Sequence, residues 1–161
     1  MIKVLFVCLG NICRSPMAEA VFKDMVAKAG LSDYITVDSA ATSAWEIGNP
    51  THAGTVNVLR RNNITFNRPA RQITTHDLRE FDYILVMEHS HLTDIRRMAQ
   101  QPKGEVALFL SYAHQAGLVD NDEVPDPYYD GRFQHTYDLV VTGCHAFLDY
   151  LRQKYQLPIA D

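Results

Sequence analysis

Val4-Leu5-Phe6-Val7-Cys8-Leu9-Gly10-Asn11-Ile12-Cys13-Arg14-Ser15-Pro16 sets a buried strand, a tight loop and a helix in immediate succession. Four apolar residues, two of them β-branched, end abruptly near Gly10 and Asn11, the pattern of a buried strand stopping at the carboxyl edge of a sheet. Ser15 is the expected N-cap, with Pro16 at the first helical position where proline is tolerated. Met17, Val21, Phe22, Met25, Val26 and Ala29 then recur on one helical face, and Gly30 can close the helix. This arrangement turns the loop's backbone N–H groups, from Leu9 through Ser15, and the positive end of the helix dipole toward one concavity suited to an oxyanion. Arg14 adds a planar fork that grips two oxygens at once.

Cys8, at the first position of this loop, separates it from a simple anion cradle. Converging N–H groups, Arg14 and the Ser15 hydroxyl all stabilise a thiolate more than a thiol, so Cys8 has the surroundings of a nucleophile. A phosphoryl group seated in the loop would place its phosphorus above the sulfur. The competing readings are a structural buried cysteine, which leaves Arg14 and Ser15 at the helix start unexplained, and a Walker-type loop, whose second glycine and lysine are missing. Asn11 is a residue type that tolerates the left-handed backbone a tight anion nest requires.

The 161 residues suit one domain spanning 1–161, long enough to bury a core without metal or disulfide staples. A net charge of −4 argues against a general nucleic-acid binder, so attraction to phosphate has to be local. The chain shows no secretion signal and no membrane-length apolar run. Its three cysteines, two of them in the loop, do not form a disulfide framework, and a reducing cytoplasm is the expected compartment.

Along the chain, Tyr34–Val37 is expected as a strand and Asp38–Ser43 as the loop leaving it. A helix spans about Thr51–Asn62, and short segments fall at Ile64–Phe66 and Arg71–Ile73. A helical turn at Asp77–Glu80 precedes a strand at Tyr83–Met87. Ser90 caps a helix to about Met98, Val106–Leu110 is a fourth strand, and Arg132–Gln156 contains the long last helix. Alternating strands and helices predict an α/β fold: a single three-layer α/β/α domain around a four-stranded parallel sheet, with the phosphate-binding loop near the N-terminus.

A leaving group in phosphoryl transfer benefits from a proton. Asp126, held between Pro125 and Pro127, is the candidate acid, although Asp120, Asp122, Glu123 and Asp130 are neighbouring alternatives from the residues alone. Trp45 lies in a loop bounded by Gly48 and Pro50, either as one wall of a slot for a flat ring or packed on the core surface. Tyr128 and Tyr129 can complete such a slot or pack under the Asp126 loop. Cys13 is close enough in sequence to form a reversible disulfide with Cys8, while Cys144 reads as a core hydrophobe. His89 and His91 lack an obvious third ligand, so no metal site is expected.

Six segments together resemble the low-molecular-weight protein tyrosine phosphatase family: V-C-L-G-N-I-C-R-S-P-M-A-E-A (7–20), V-D-S-A-A-T-S (37–43), E-I-G-N-P (46–50), A-R-Q-I-T (70–74), F-D-Y-I-L (81–85) and D-P-Y-Y (126–129). They occur in the family's order across nearly the whole chain. The resemblance implies hydrolysis of phosphotyrosine proteins and other aryl phosphates through a phosphocysteine, without cofactor or metal. In it, Cys8 is the nucleophile, Arg14 binds phosphate, and Asp126 is acid and then base. It also implies that Ser39 hydrogen-bonds Asn11, that Trp45, Tyr128 and Tyr129 wall the pocket, and that phosphate and vanadate inhibit. Relatives carry regulatory phosphorylation on the paired tyrosines. One departure stands out: Arg68 occupies the place of a histidine that buttresses the loop asparagine in many relatives. The rivals are an arsenate reductase, which would need further relay cysteines, and a noncatalytic phosphate-binding module, which would need neither Cys8 nor Asp126.

Overall fold

β1 (Ile2–Cys8) lies inside a four-stranded sheet of order β2-β1-β3-β4, completed by β2 (Ile35–Ala41), β3 (Tyr83–Val86) and β4 (Glu105–Leu108). All pairings are parallel. The computed structural model that defines this architecture describes residues 1–158. Helices follow the strands: α1 (Arg14–Lys28), α2 (Ala53–Arg61), α3 (Thr75–Glu80), α4 (His89–Arg96), α5 (Ser111–Gln115), α6 (Pro127–Asp130) and α7 (Phe133–Tyr155). Among the described residues no helix is long and apolar enough to cross a membrane.

β1 is apolar on both faces because both are covered. Val4, Phe6 and Cys8 join Met17, Phe22 and Val26 of α1 and Phe147 and Leu151 of α7 in one cluster. Leu5 and Val7 face the other way, into a cluster with Leu78, Ile84, Val86 and Ile95. The chain leaves β1 to β2 on one side and reaches β3 on the other, so the end of β1 is where strand order reverses. Ligands of open α/β sheets bind at such a point, and the Cys8–Ser15 loop starts there.

Several boundaries differ from those expected. Ser15 is not the cap of α1. That helix begins at Arg14 with Cys13 at the cap position, and the Ser15 hydroxyl is used inside the loop. β2 continues to Ala41, so Asp38 and Ser39 lie in a strand, their polar groups satisfied by partners distant in sequence. Ser90 does not cap α4. Glu88 does, in a reciprocal capping box with His91. The short helices α5 and α6 were not expected as separate elements, being too brief to show a periodicity.

β4 approaches the end preceding β3 closely. A methyl group on Gly104 would stand 2.1 Å from the Asp82 carbonyl oxygen, which accepts the Glu105 N–H at 2.9 Å. Because the obstacle is backbone, Gly104→Ala should destabilise the fold by about 3 kcal/mol, lowering the thermal midpoint by roughly 6–12 °C. An unchanged midpoint in a calorimetric or circular dichroism melt would show that the β3–β4 entry is looser than described.

Candidate active site

The loop from Cys8 to Ser15 is held open by its carbonyls. Thr42 N–H donates to Cys8 O (2.9 Å), Ser43 N–H and hydroxyl to Leu9 O (3.1 and 2.8 Å), His52 N–H to Ile12 O (2.8 Å), and the Thr55 hydroxyl to Cys13 O (3.1 Å). With its oxygens tied outward, the loop turns its N–H groups to the inside. Two of these, from Asn11 (3.3 Å) and Ser15 (3.4 Å), point at Cys8 Sγ, and the Ser15 hydroxyl lies 3.0 Å from the same sulfur. The first position of the loop therefore puts a buried sulfur at the bottom of a ring of donors, as the strand–loop–helix reading expects.

Asn11 makes the turn possible. Its φ of 58° lies in the left-handed region, and its side-chain amide locks that conformation. Nδ2 donates to Ser15 Oγ (2.8 Å) and Ser39 Oγ (2.9 Å), and Oδ1 accepts the Arg71 N–H (3.1 Å). Arg71 is within reach because Ala41 and Gln72 form a parallel bridge that lays residues 71–73 along the end of β2. Ser39 in turn donates to Glu19 Oε1 at 2.6 Å, and Glu19 is fully buried. Its charge is balanced by Arg68 (2.9 and 3.1 Å) and Lys23. Arg68 also pairs with Asp38, which Arg71 shares. Burial alone would raise the Asp38 pKa. The hydrogen bonds from Arg68 and the Ser39 N–H, with the nearby Arg71 charge, more than reverse this and hold it below the usual carboxylate range. Arg68 thus reaches Asn11 indirectly, through Glu19 and Ser39.

Arg14 is 2% exposed and fixed on one side by protein. Nη1 donates to Glu88 Oε1 and Val124 O, both at 2.8 Å, and Nη2 lies 3.4 Å from Asp126 Oδ2. Asp126 uses its other oxygen to accept the Tyr128 N–H at 3.0 Å, so its carboxyl is oriented by the turn that follows it. Glu88 is a supporting residue that reading the sequence missed. Glu88-x-x-His91 is a capping-box spacing, and that was the available signal. His91 is buried, with Nδ1 accepting the Glu88 N–H at 3.2 Å. Burial and the Arg14 charge outweigh Glu88, Asp94 and Asp126 and hold its pKa below the usual histidine range. Glu19 was also missed, since nothing in the sequence marks a carboxylate at that helical position as buried.

Trp45, Tyr128 and Tyr129 line a cavity of ≈ 150 Å³ together with Cys8, Leu9, Arg14 and Asp126. The tryptophan is 76% exposed, so it stands at the cavity rather than packing into the core. Glu46 lines the same cavity and was not anticipated. Neither Cys8 nor Cys13 is in a disulfide, and burial pushes the Cys13 thiol well up, reinforced by Cys8 and Asp126. Cys144 is buried in the core, as expected, and burial raises its pKa as well. His89 faces Asp122 (3.2 Å) while His91 is engaged with Glu88, so the two histidines have separate partners. Among the described residues no group of three or more metal-ligating side chains converges.

A sulfur facing two N–H donors, a guanidinium and a carboxyl in one cavity can bind a tetrahedral oxyanion, attack it and move a proton. Comparison with known proteins agrees with that chemistry. Residues 3–157 match the family model described as low molecular weight phosphotyrosine protein phosphatase. The chain is 46% identical over 159 residues to the low molecular weight protein-tyrosine-phosphatase YfkJ of Bacillus subtilis, covering 98% of this chain and 100% of that one. It is also 46% identical over 151 residues to the human low molecular weight phosphotyrosine protein phosphatase, covering 91% and 93% of the two chains. The crystal structure of Bacillus subtilis YfkJ superposes with a TM-score of 0.89, covering 96% of both chains.

The Glu19–Arg68–Asp38 cluster generates a stability prediction with a sign. Arg68→Met leaves buried Glu19 with one partner fewer and removes the group that depresses Asp38, which should destabilise the fold by about 3 kcal/mol at neutral pH. A carboxyl with a depressed folded pKa contributes stability above its unfolded value, near 3.8 for Asp38, and loses it as pH falls through the folded value. Urea melts of wild type and Arg68→Met should therefore differ most near neutrality and converge below about pH 4. A difference independent of pH would remove the ionic account.

Proposed function

The chain belongs to the low molecular weight phosphotyrosine protein phosphatase family and is a protein tyrosine phosphatase, a hydrolase, and from that premise we propose that Cys8, Arg14 and Asp126 carry its reaction. The observation that supports these roles is that all three line one cavity, with the Cys8 sulfur facing the N–H groups of Asn11 and Ser15. A phosphate group entering the cavity takes the inward N–H groups of the loop, from Leu9 to Ser15, and the Arg14 fork. Glu88 and Val124 hold the guanidinium in position before substrate arrives, so little reorganisation remains for the transition state.

In the first step the Cys8 thiolate forms a bond to phosphorus as the bond to the aryl oxygen breaks, and the carboxylic proton of Asp126 passes to the departing oxygen. In the second step the Asp126 carboxylate takes a proton from water, whose oxygen bonds to phosphorus as the bond to sulfur breaks. Inorganic phosphate leaves and Cys8 returns to its starting form. Asn11 and Ser39 keep the loop in shape. Trp45, Tyr128 and Tyr129 offer faces to a phosphotyrosine ring.

The same reading makes the enzyme metal-independent, inhibited by phosphate and vanadate, a single catalytic domain over 1–161, and a cytoplasmic protein without nucleic-acid or membrane partners. A reductase using this loop would need to carry a disulfide outward, but no cysteine lies between Cys13 and Cys144, and Cys144 is buried between α7 and α1.

Purified protein should hydrolyse p-nitrophenyl phosphate with a chelator present. Cys8→Ser should abolish turnover while phosphate or vanadate still binds. Asp126→Ala should slow phenyl phosphate by about 10²–10⁴-fold, the range of general acid catalysis, and p-nitrophenyl phosphate, with its better leaving group, far less. Equal slowing of the two would take the proton-transfer role away from Asp126.

A further inference from the structure

Beyond the aromatic rim lies a second cavity of ≈ 470 Å³, lined by Gly54, Asn57 and Arg61 of α2 and by residues 131–135 at the start of α7. Among the described residues its lining holds Arg61, Arg132 and His135 and no carboxylate, on a chain whose net charge is −4. Arg61 and Arg132 are exposed, and neither guanidinium has an ion-pair partner among the described residues. The carboxylates close in sequence do not line it: Asp130 accepts the Arg132 backbone N–H (2.8 Å), and Asp138 accepts the Gln134 side chain (2.9 Å). Most other arginines near the active site are neutralised. Arg14, Arg68 and Arg71 each pair with two carboxylates.

This cavity is joined to the catalytic one by a short ridge. Tyr128 lines the catalytic cavity and Phe133 lines the second. Between them the His52 ring stacks on Phe133 (centroids 5.0 Å apart) and meets Tyr128 edge-on (6.0 Å). The ridge is built closely, since Gly54 leaves room for Phe133 where a methyl group would stand 2.5 Å from the ring. It is also fixed to the phosphate loop, because His52 N–H donates to Ile12 O and its Nδ1 accepts the Gly54 N–H. A peptide chain rising 3.3–3.6 Å per extended residue crosses such a ridge in about three or four residues.

We propose that the Arg61–Arg132–His135 cavity is a substrate-recognition site that takes acidic side chains of a phosphotyrosine-containing polypeptide, three or four residues from the phosphotyrosine. This rests on the phosphotyrosine reading of the Cys8 site and adds the flanking chemistry that site selects. Exposed guanidinium groups without internal partners keep their full charge for an incoming carboxylate, whereas those tied to Glu19, Asp38 and Asp77 do not. The single-signed lining turns an otherwise acidic protein attractive at one place beside the reaction centre.

Two phosphotyrosine peptides test this, identical except for Glu or Gln at the third and fourth positions on both sides, with p-nitrophenyl phosphate as a substrate too small to reach the cavity. Wild type should favour the Glu peptide about five- to tenfold in kcat/KM through KM, the size of two surface ion pairs, and raised ionic strength should erase the preference. Arg61→Gln/Arg132→Gln should bring the Glu peptide down to the Gln peptide and leave the Gln peptide and p-nitrophenyl phosphate unchanged, with each single variant intermediate. No preference in wild type, a preference surviving in the double variant, or a loss shared by both peptides and the small substrate overturns the proposal. Failure of wild type to hydrolyse p-nitrophenyl phosphate would instead overturn the phosphatase reading beneath it.

Discussion

An eight-residue loop that keeps its carbonyl oxygens outside and its N–H groups inside is the constraint on which the remaining structure depends. Such a loop is unstable by itself, because it gathers like-signed dipole ends around one point and needs a left-handed residue at Asn11. It persists because four of its carbonyls, those of Cys8, Leu9, Ile12 and Cys13, find donors from other segments: Thr42 and Ser43 beyond β2, His52 before α2, and Thr55 within it. The loop's shape is thus imposed by three separate stretches of chain, and the interior is polarised toward anions before any substrate is present.

Behind the loop, charge is used to hold position. Glu19 is fully buried on α1, yet it is the acceptor that orients Ser39, and Ser39 helps orient Asn11. A buried carboxylate costs several kcal/mol unless it is paired, in round terms about 3–5 if one partner is removed. Arg68 and Lys23 supply that pairing. Arg68 is half of a larger alternation, Glu19–Arg68–Asp38–Arg71–Asp77, that ties α1, β2, the 68–71 segment and α3 together. A permanently charged guanidinium at this position makes the support independent of proton uptake over the physiological range, which a histidine would not.

On the other side of the loop, Arg14 is buried with its fork partly committed to Glu88 and Val124, and its remaining edge faces Asp126. The buried sulfur, the guanidinium and the carboxyl that line the cavity come from residues 8, 14 and 126, yet Val124 and Asp126 meet Arg14 directly. The approach of the 124–126 segment to α1 is secured by Val124, whose N–H donates to Met87 O and whose side chain is buried. One short extended segment therefore both braces Arg14 and aims Asp126.

The parallel α/β order, the strand–loop–helix and the candidates Cys8 and Arg14 were legible in the residues, because they rest on local patterns: an uninterrupted apolar run and a Gly-Asn break, whereas a proline-flanked aspartate left Asp126 among several carboxylates until the family resemblance singled it out. Resemblance to a family added Ser39, Trp45 and the tyrosine pair. The Ser15 and Ser90 caps were misread because hydroxyls that look like local caps found better partners elsewhere: Ser15 on Cys8 and Asn11, and Ser90 displaced by the Glu88–His91 box. β2 was cut short at Val37 because Asp38 and Ser39 break the apolar run, and only their pairing with Arg71 and Glu19 makes strand geometry affordable there. Sequence alone marked the four strands and the longer helices and nominated the residues for reactive chemistry, since both follow from periodicity and residue type. Tertiary structure alone decided that Glu19 would be a buried support, that Glu88 would grip Arg14, and that Arg61 and Arg132 would share an unneutralised cavity. Those properties belong to pairs brought together across dozens of residues, and charge compensation is a matter of distance in space that no local pattern encodes.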